Sequence, residues 1–228
     1  MIMYRWYMDI KEAVIKRHSV RRYLDKPIEA NLVEALKEKI EEINRESGLK
    51  ITLVTDEATA FTGPLAHYGK FENCKNYFVI CGKRGLEEKV GYFGEKLVIF
   101  SQMIGLNTCW VALTYKRGSV PIKAEKGERL YIVISVGYGR NRGLPRKSKP
   151  IERLCRVKGE MPEWFKNGMD FAMRAPTAIN QQKFLITLED DGRVRAKSLL
   201  GPCHKIDLGI VKYHFELGAG KDSFQWVE

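Results

Sequence analysis

The stretch from Leu86 to Leu106 restricts the possible folds of this chain more than any other. It reads as one long helix. Apolar side chains dominate from Leu97 to Ile104, so its second half has no polar face to leave in water and belongs at the centre of the fold. Two buried strands are predicted around it. Tyr77 to Cys81 is a continuous apolar run, and Leu130 to Val136 is strongly β-branched. Lys50 to Thr55 alternates apolar and polar residues, as a half-buried strand does. The apolar run of the helix is too short to span a bilayer, and Ser101 and Gln102 interrupt it.

Further helices announce themselves at their starts. Asp9-Ile10-Lys11-Glu12 has the form of a capping box, and Asn31-Leu32-Val33-Glu34 repeats it. The second of these continues through Leu36, Ile40 and Ile43 and ends at Gly48. A loop rich in glycine and aromatic residues follows, through Gly63-Pro64 and His67-Tyr68-Gly69. Gly137 to Pro150 is irregular and basic. A second unit is expected from Ile151. Pro162 opens a helix that runs through Arg174, with Trp164, Phe165, Met169 and Phe171 on it. Lys183 to Glu189 and Arg193 to Ser198 read as a hairpin turning at Asp191-Gly192. Asp207 is expected to cap a last helix reaching Leu217 and stopped by Gly218 and Gly220.

The domain expectation is therefore 1–150 and 151–228. The second half is too small to bury a core of its own. A faint echo links Tyr92-Phe93-Gly94-Glu95 with Asp207-Leu208-Gly209-Ile210, each leading into a helix, and hints at two related halves.

With 44% hydrophobic and 29% charged residues, the 228-residue chain is composed like an ordinary globular protein. Met1 to Tyr7 lack the charged and apolar regions of a secretory leader. A cytoplasmic location is expected. Five cysteines, an odd number without CxxC spacing, argue against a disulfide framework and a zinc site, and no metal is expected. The net charge of +11 admits three readings: a solvated lysine-rich surface, a phosphate-bearing ligand, or a nucleic acid. Base stacking needs aromatics among the cations. The basic cluster Arg140, Arg142, Arg146, Lys147, Lys149 has only Tyr138, so no nucleic-acid partner is expected.

Three segments carry candidate chemistry. In an extended Arg17-His18-Ser19-Val20-Arg21, residues Arg17, Ser19 and Arg21 point to one side and offer guanidinium and hydroxyl donors to a phosphate. The alternative is a basic helix end whose cations offset the helix dipole. Arg146 and Lys147 lie in a second cluster that can close on the same group. Pro176, Thr177, Asn180 and Gln182 can wall and read a planar heterocycle, since side-chain amides donate and accept together. They equally suit an ordinary helix-to-strand connection. Cys203-His204 with Asp207 can be drawn as a nucleophile pair, but a helix start explains them, and no second histidine completes the set. His67 and Tyr68 either border a pocket or cap a loop.

Four stretches together resemble the nitroreductase-like FMN-dependent oxidoreductases. Ala13 to Tyr23 is similar to the opening R-x-S-x-R-x-aromatic motif. Gly94 to Trp110, ending Gly105-Leu106-Asn107-Thr108-Cys109-Trp110, resembles the central helix and its G-L-x-T-C-W end. Val136-Gly137-Tyr138-Gly139 with Pro145 to Pro150 resembles the closing G-Y-x…P-R-x-K segment. Ala175 to Gln182 resembles A-P-S-x-x-N-x-Q. The resemblance implies an α+β fold: mixed, mainly antiparallel sheets flanked by helices, in two pseudo-symmetric halves. In ordinary members the A-P-S motif follows the opening motif closely, and FMN sits at a homodimer interface. Here it lies in the second half, Thr177 replaces the serine, and Lys183-Phe184 replaces the usual Pro-Trp. No clear match exists for the family's glycine-acid pair near the flavin's central ring. The chain thus resembles a short variant whose two unequal halves mimic two subunits.

What the resemblance implies for function is a ping-pong NAD(P)H oxidoreductase. Hydride would pass from NAD(P)H through FMN to a nitroaromatic, quinone or similar acceptor. Implied cofactor contacts are Arg17, His18, Ser19 and Arg21, the backbone of Val111, Ala112 and Leu113, then Arg146, Lys147, Pro176, Thr177, Ala178, Asn180 and Gln182. Arg21 would face the flavin edge that gains negative charge on reduction. No catalytic side chain is implied, because the cofactor carries the chemistry. Partners would be NAD(P)H and a small acceptor, without a membrane, in a monomer or homodimer. The alternative is a flavin-binding sensor or carrier without turnover.

Overall fold

The computed structural model describes residues 8–227. The reading of Met1 to Tyr7 lies outside them. The chain divides into two compact units. One holds the residues up to Leu86 and Leu97–Pro145; the other holds Glu87–Lys96 and the residues from Arg146 onward. Both are mixtures of helix and mainly antiparallel sheet.

The first unit begins with helix α1 (Ile10–Lys16). Asp9 caps it by accepting from the Glu12 backbone N–H, as the sequence predicts. Helix α2 (Ala30–Ser47) buries Leu32, Ala35, Leu36, Ile40 and Ile43. It starts earlier than the predicted cap at Asn31, which lies inside the first turn; Glu29 stands at the cap and makes no side-chain cap bond. Gly48 ends the helix at φ 71°, where a side chain would be strained. Strand β1 (Lys50–Val54) follows. Asn44 of α2 fastens to it twice, donating to Ile51 O at 3.0 Å and accepting from Ile51 N at 2.8 Å.

The expected loop after β1 contains a 3-10 turn at Thr59–Phe61 and a short helix, α3 (Pro64–Tyr68), with Pro64 in its first turn. Strand β2 (Tyr77–Lys83) then leads to α4 (Glu87–Met103), the long apolar helix. Strands β3 (Asn107–Val111) and β4 (Glu128–Gly137) complete an antiparallel sheet of order β1-β2-β4-β3. The two central strands are buried along nearly their whole length, which accounts for their unbroken apolar sequences. The core beneath joins Phe61, Phe71, Tyr77, Val79, Cys109, Val111, Tyr115 and Val133. The predicted helix runs on to Leu106, whereas α4 ends at Met103 and Gly105, at φ 85°, turns the chain into β3, a strand the sequence reading does not separate from the helix.

The second unit takes the first ten residues of α4. Its sheet pairs β5 (Cys155–Arg156) parallel to β6 (Phe184–Leu188), and β6 antiparallel to β7 (Val194–Ser198). The predicted hairpin forms, turning at Gly192 with φ 82°. Helix α5 (Glu163–Ala172) has Pro162 at its cap. Helix α6 (His204–Ala219) starts earlier than predicted, and Asp207 does not cap it: Cys203 holds that position at φ 54°.

Close backbone approach fixes α6 on two sides. A Cβ on Gly91 of α4 would lie 1.9 Å from Ile206 O, and a Cβ on Gly209 of α6 would lie 1.9 Å from Glu88 O. On the α5 side, a Cβ on Gly168 would meet the Phe215 ring at 2.6 Å, and one on Gly218 would reach Asn167 O at 2.3 Å. Gly218 therefore does not stop α6, as expected from sequence, but lies inside it as a packing contact; the helix ends at Gly220, φ 84°. Glu95 and His214 form a fully buried pair, Oε1 to Nε2 2.8 Å, between these helices. Among the described residues, no helix is long and apolar enough to cross a membrane.

Candidate functional site

In the first unit, α1 ends at Lys16 and the chain becomes extended at Arg17, with φ −67° and ψ 121°. An extended segment can dock on a strand. Ser19 bridges in parallel to Thr108 at the start of β3, and Val20 N donates to Thr108 O at 3.0 Å. Val20 and Tyr23 are buried, while Arg21 and Arg22 are exposed. The Tyr23 hydroxyl lies 2.8 Å from Val20 O and 2.7 Å from Ser135 Oγ on β4, so the turn from Val20 to Tyr23 is held to the central sheet.

Along this extended run Arg17 is buried, Ser19 half-buried and Arg21 exposed. The Cys109 thiol is fully enclosed, and burial pushes its pKa up. Arg21, the Ser19 hydroxyl and Arg17 all act against that shift. The positive charge of both guanidiniums is thus felt at the middle of β3, where Cys109 sits. Guanidinium and hydroxyl donors suit a phosphate, whose oxygens accept charge-assisted bonds.

Gly139 of the closing motif and Gly143 lie against the opening segment within this unit. Gly139 N donates to Asn107 Oδ1 at 3.1 Å, and a Cβ on Gly139 would fall 2.6 Å from that oxygen. A Cβ on Gly143 would approach His18 Cβ to 2.6 Å. Arg22 and Arg140 are committed elsewhere: both pair with Glu72, at 3.1 Å and 3.2 Å. Val111 is the last residue of β3 and is buried; Ala112 is half-buried and Leu113 exposed as the chain bends away.

In the second unit, α5 leads to Ala175-Pro176-Thr177 and a 3-10 turn at Ala178–Asn180. Ile179, Asn180 and Gln182 all adopt positive φ, at 47°, 56° and 46°. Positive φ is costly for a β-branched residue such as Ile179. Side chains hold the loop in this shape. Gln182 N donates to Thr177 Oγ1 at 3.0 Å. Asn180 Nδ2 and Gln182 Nε2 donate to Lys147 O at 2.9 Å and 3.1 Å, and Lys149 N donates to Gln182 Oε1 at 2.8 Å. The structure therefore brings Lys147, Thr177, Ala178, Asn180 and Gln182 together. The two side-chain amides join the loop to the backbone of the basic segment. Arg146 Nη2 donates to Met173 O at the end of α5, and the Lys147 side chain is exposed.

Asp207 is the residue that sequence reasoning missed here. Both its oxygens accept from Ala178 N at 3.1 Å, and Oδ2 also accepts from Gln181 Nε2 at 2.7 Å. Burial pushes its pKa up to about 6, against the opposing effects of those bonds and of the Arg146 charge. Its position in the first turn of α6 suggests a cap, and only the tertiary fold shows that it reaches another loop.

Cys203-His204 marks the start of α6, and His204 Nδ1 lies 2.9 Å from Ser198 Oγ. No group of three or more metal-binding side chains exists among the described residues.

Residues 9–219 match the family described as "Putative TM nitroreductase". Among solved structures, the chain is similar to a Thermotoga maritima "putative nitroreductase", with 24% identity over 96% of this chain and 88% of that one, TM-score 0.66. A Desulfovibrio desulfuricans "putative nitroreductase in complex with FMN" is 13% identical, covering 68% of this chain and 99% of that one, TM-score 0.53. A Parabacteroides distasonis "Putative NADH dehydrogenase/NAD(P)H nitroreductase" is 20% identical, covering 64% and 95%, TM-score 0.50. These likenesses show the fold. No curated protein matches.

Proposed function

Because the chain belongs to the TM nitroreductase family, we propose that it is an FMN-dependent oxidoreductase that moves a hydride equivalent from NAD(P)H to a nitroaromatic, quinone or similar small acceptor by a ping-pong mechanism. With a quinone the balance is NAD(P)H, one proton and quinone to NAD(P)+ and quinol. When bound, FMN supplies the two-electron relay that no amino-acid side chain provides. The observation that carries this reading is that the Arg17-His18-Ser19-Val20-Arg21 segment docks on β3: Ser19 bridges to Thr108, and Val20 N donates to Thr108 O at 3.0 Å. The FMN complex of the Desulfovibrio desulfuricans protein of this fold supports the choice of cofactor.

We assign the phosphate to Arg17, Ser19 and Arg21, with Lys147 and Arg146 adding positive charge. His18 borders that end. The backbone of Val111, Ala112 and Leu113 faces the redox-active part of the ring. Pro176, Thr177 and Ala178 form the apolar wall. Asn180 and Gln182 hold that wall in shape through Lys147 O, so their effect on the cofactor is one of positioning. Fixed cations lower the cost of negative charge that develops on reduction. No acid or base is needed on the protein.

We also read the chain as an internal pair of related halves. The α4–α6 packing supports this. Gly91 meets Ile206 and Ile210, while Gly209 meets Glu88 and Tyr92. A single shift in numbering carries each set onto the other, which is how a two-fold contact reads in sequence. A reducing compartment such as the cytoplasm suits five free cysteines.

The test is direct. The purified protein should be yellow, release FMN on denaturation, and oxidise NADH or NADPH only when a quinone or nitroaromatic is added. Bound flavin without turnover would favour the sensor or carrier alternative; absence of flavin would reject both.

A further inference from the structure

We propose that the exposed side chains Leu65 and Tyr68 of α3, with Leu113 beyond β3, are the surface on which the electron acceptor rests. We further propose that Lys70 and Lys116 at its margin select flat aromatic acceptors that carry an acidic substituent. The proposal rests on the oxidoreductase reading above and adds to it the place and charge of the second substrate.

The three apolar side chains are 55%, 82% and 81% exposed. Exposed large apolar groups that cluster mark binding surfaces more often than chance. These three sit on a rigid base. Gly69, which follows Tyr68, packs so tightly on Thr114, which follows Leu113, that a Cβ there would lie 2.8 Å from Thr114 Cβ and Oγ1. Lys116 N donates to Ala60 O at 2.7 Å. Below, the Phe61 ring stacks on Tyr115 at 6.2 Å and tilts against Phe71 at 4.9 Å. Ala66 faces inward, fully covered, so α3 turns Leu65 and Tyr68 outward. The two loops are thus one platform.

Charge supplies the specificity. Residues 59–71 and 112–120 contain His67, Lys70, Lys116 and Arg117 and not one aspartate or glutamate. Arg117 is committed, donating to Leu130 O. Lys70 and Lys116 are exposed. An aromatic ring gains from the Tyr68 face and the leucine side chains, and a sulfonate or carboxylate on that ring gains from the lysines. The platform is also continuous with Val111 to Leu113, the segment assigned to the redox-active part of the cofactor.

The experiment compares menadione with a sulfonated naphthoquinone as acceptors for the flavin-loaded protein. Tyr68→Ala should raise KM for both acceptors by about tenfold, the loss of one aromatic contact. Flavin content and the anaerobic bleaching of the flavin by NADH should not change. Lys70→Gln with Lys116→Gln should lower kcat/KM for the sulfonated acceptor several-fold and leave menadione within about twofold, the scale of a few screened surface charges. An unchanged KM in the tyrosine variant, or an equal loss for both acceptors in the lysine variant, would overturn the assignment. A wild-type protein without flavin, or whose flavin NADH does not bleach, would remove the oxidoreductase reading itself, and this proposal with it.

Discussion

The backbone nitrogen of Ala178 lies 3.1 Å from each carboxylate oxygen of Asp207, 29 positions away in the chain. The carboxylate is 5% exposed and sits under the loop assigned to the wall of the cofactor site. Its pKa is raised to about 6 because burial disfavours the charge more than its hydrogen bonds favour it.

A raised folded-state value means that the native protein holds the proton more tightly than the unfolded chain. The stabilisation is full below the unfolded pKa near 4 and is lost as pH rises through about 6. The change is about 3 kcal/mol at most. Asp207→Asn keeps an acceptor for Ala178 and removes the titration. Urea denaturation at steps between pH 4 and pH 6 should show the wild-type advantage over this variant falling with pH. A constant difference would contradict the assignment.

The Gly209 contact with Glu88 O leaves no room for a methyl group. Gly209→Ala should destabilise by about 3 kcal/mol or prevent folding, since backbone must move on both helices. Gly118→Ala, where a Cβ meets nothing within 4 Å, should stay within about 0.5 kcal/mol of wild type. Chemical denaturation of the two variants side by side measures the contrast.

Ile179 is 88% exposed and sits at φ 47°. It buries little and carries backbone strain. Ile179→Gly should stabilise by about 1 kcal/mol, because relief of the left-handed strain outweighs the added chain entropy. A rise in the denaturation midpoint without a change in slope would show it.

Tyr23 joins the opening motif to the central sheet through Val20 O and Ser135 Oγ. Tyr23→Phe leaves both oxygens without this partner in a buried place and should cost about 1–3 kcal/mol. The same variant should weaken FMN binding, since Ser19 and Arg21 flank Val20. Fluorimetric FMN titration beside thermal denaturation separates the two effects.

The elements legible in sequence are those whose pattern answers to local physics. β2 and β4 carry the apolar runs Tyr77–Cys81 and Leu130–Ile134 because both faces are buried there, and the Asp191-Gly192 hairpin follows ordinary turn chemistry. β5 was not legible: two residues carry no period, and its parallel pairing with β6 is a long-range event. Gly218 reads as a stop signal from sequence alone, and only the approach of Asn167 O shows it as a packing glycine. The candidate site divides similarly. The opening motif reads as an extended segment, and it docks on β3 through Ser19 and Val20. Asn180 and Gln182 read as ligand-facing amides; in the structure both donate to Lys147 O, a partner some 35 residues distant that no local pattern reveals.

The most direct test is the flavin content of Arg17→Ala combined with Arg21→Ala, measured by visible absorbance after gel filtration and set against wild type. The wild type should elute yellow with close to one FMN per chain, and the double variant should elute folded but colourless. A folded double variant that keeps its flavin would show that the phosphate is held elsewhere.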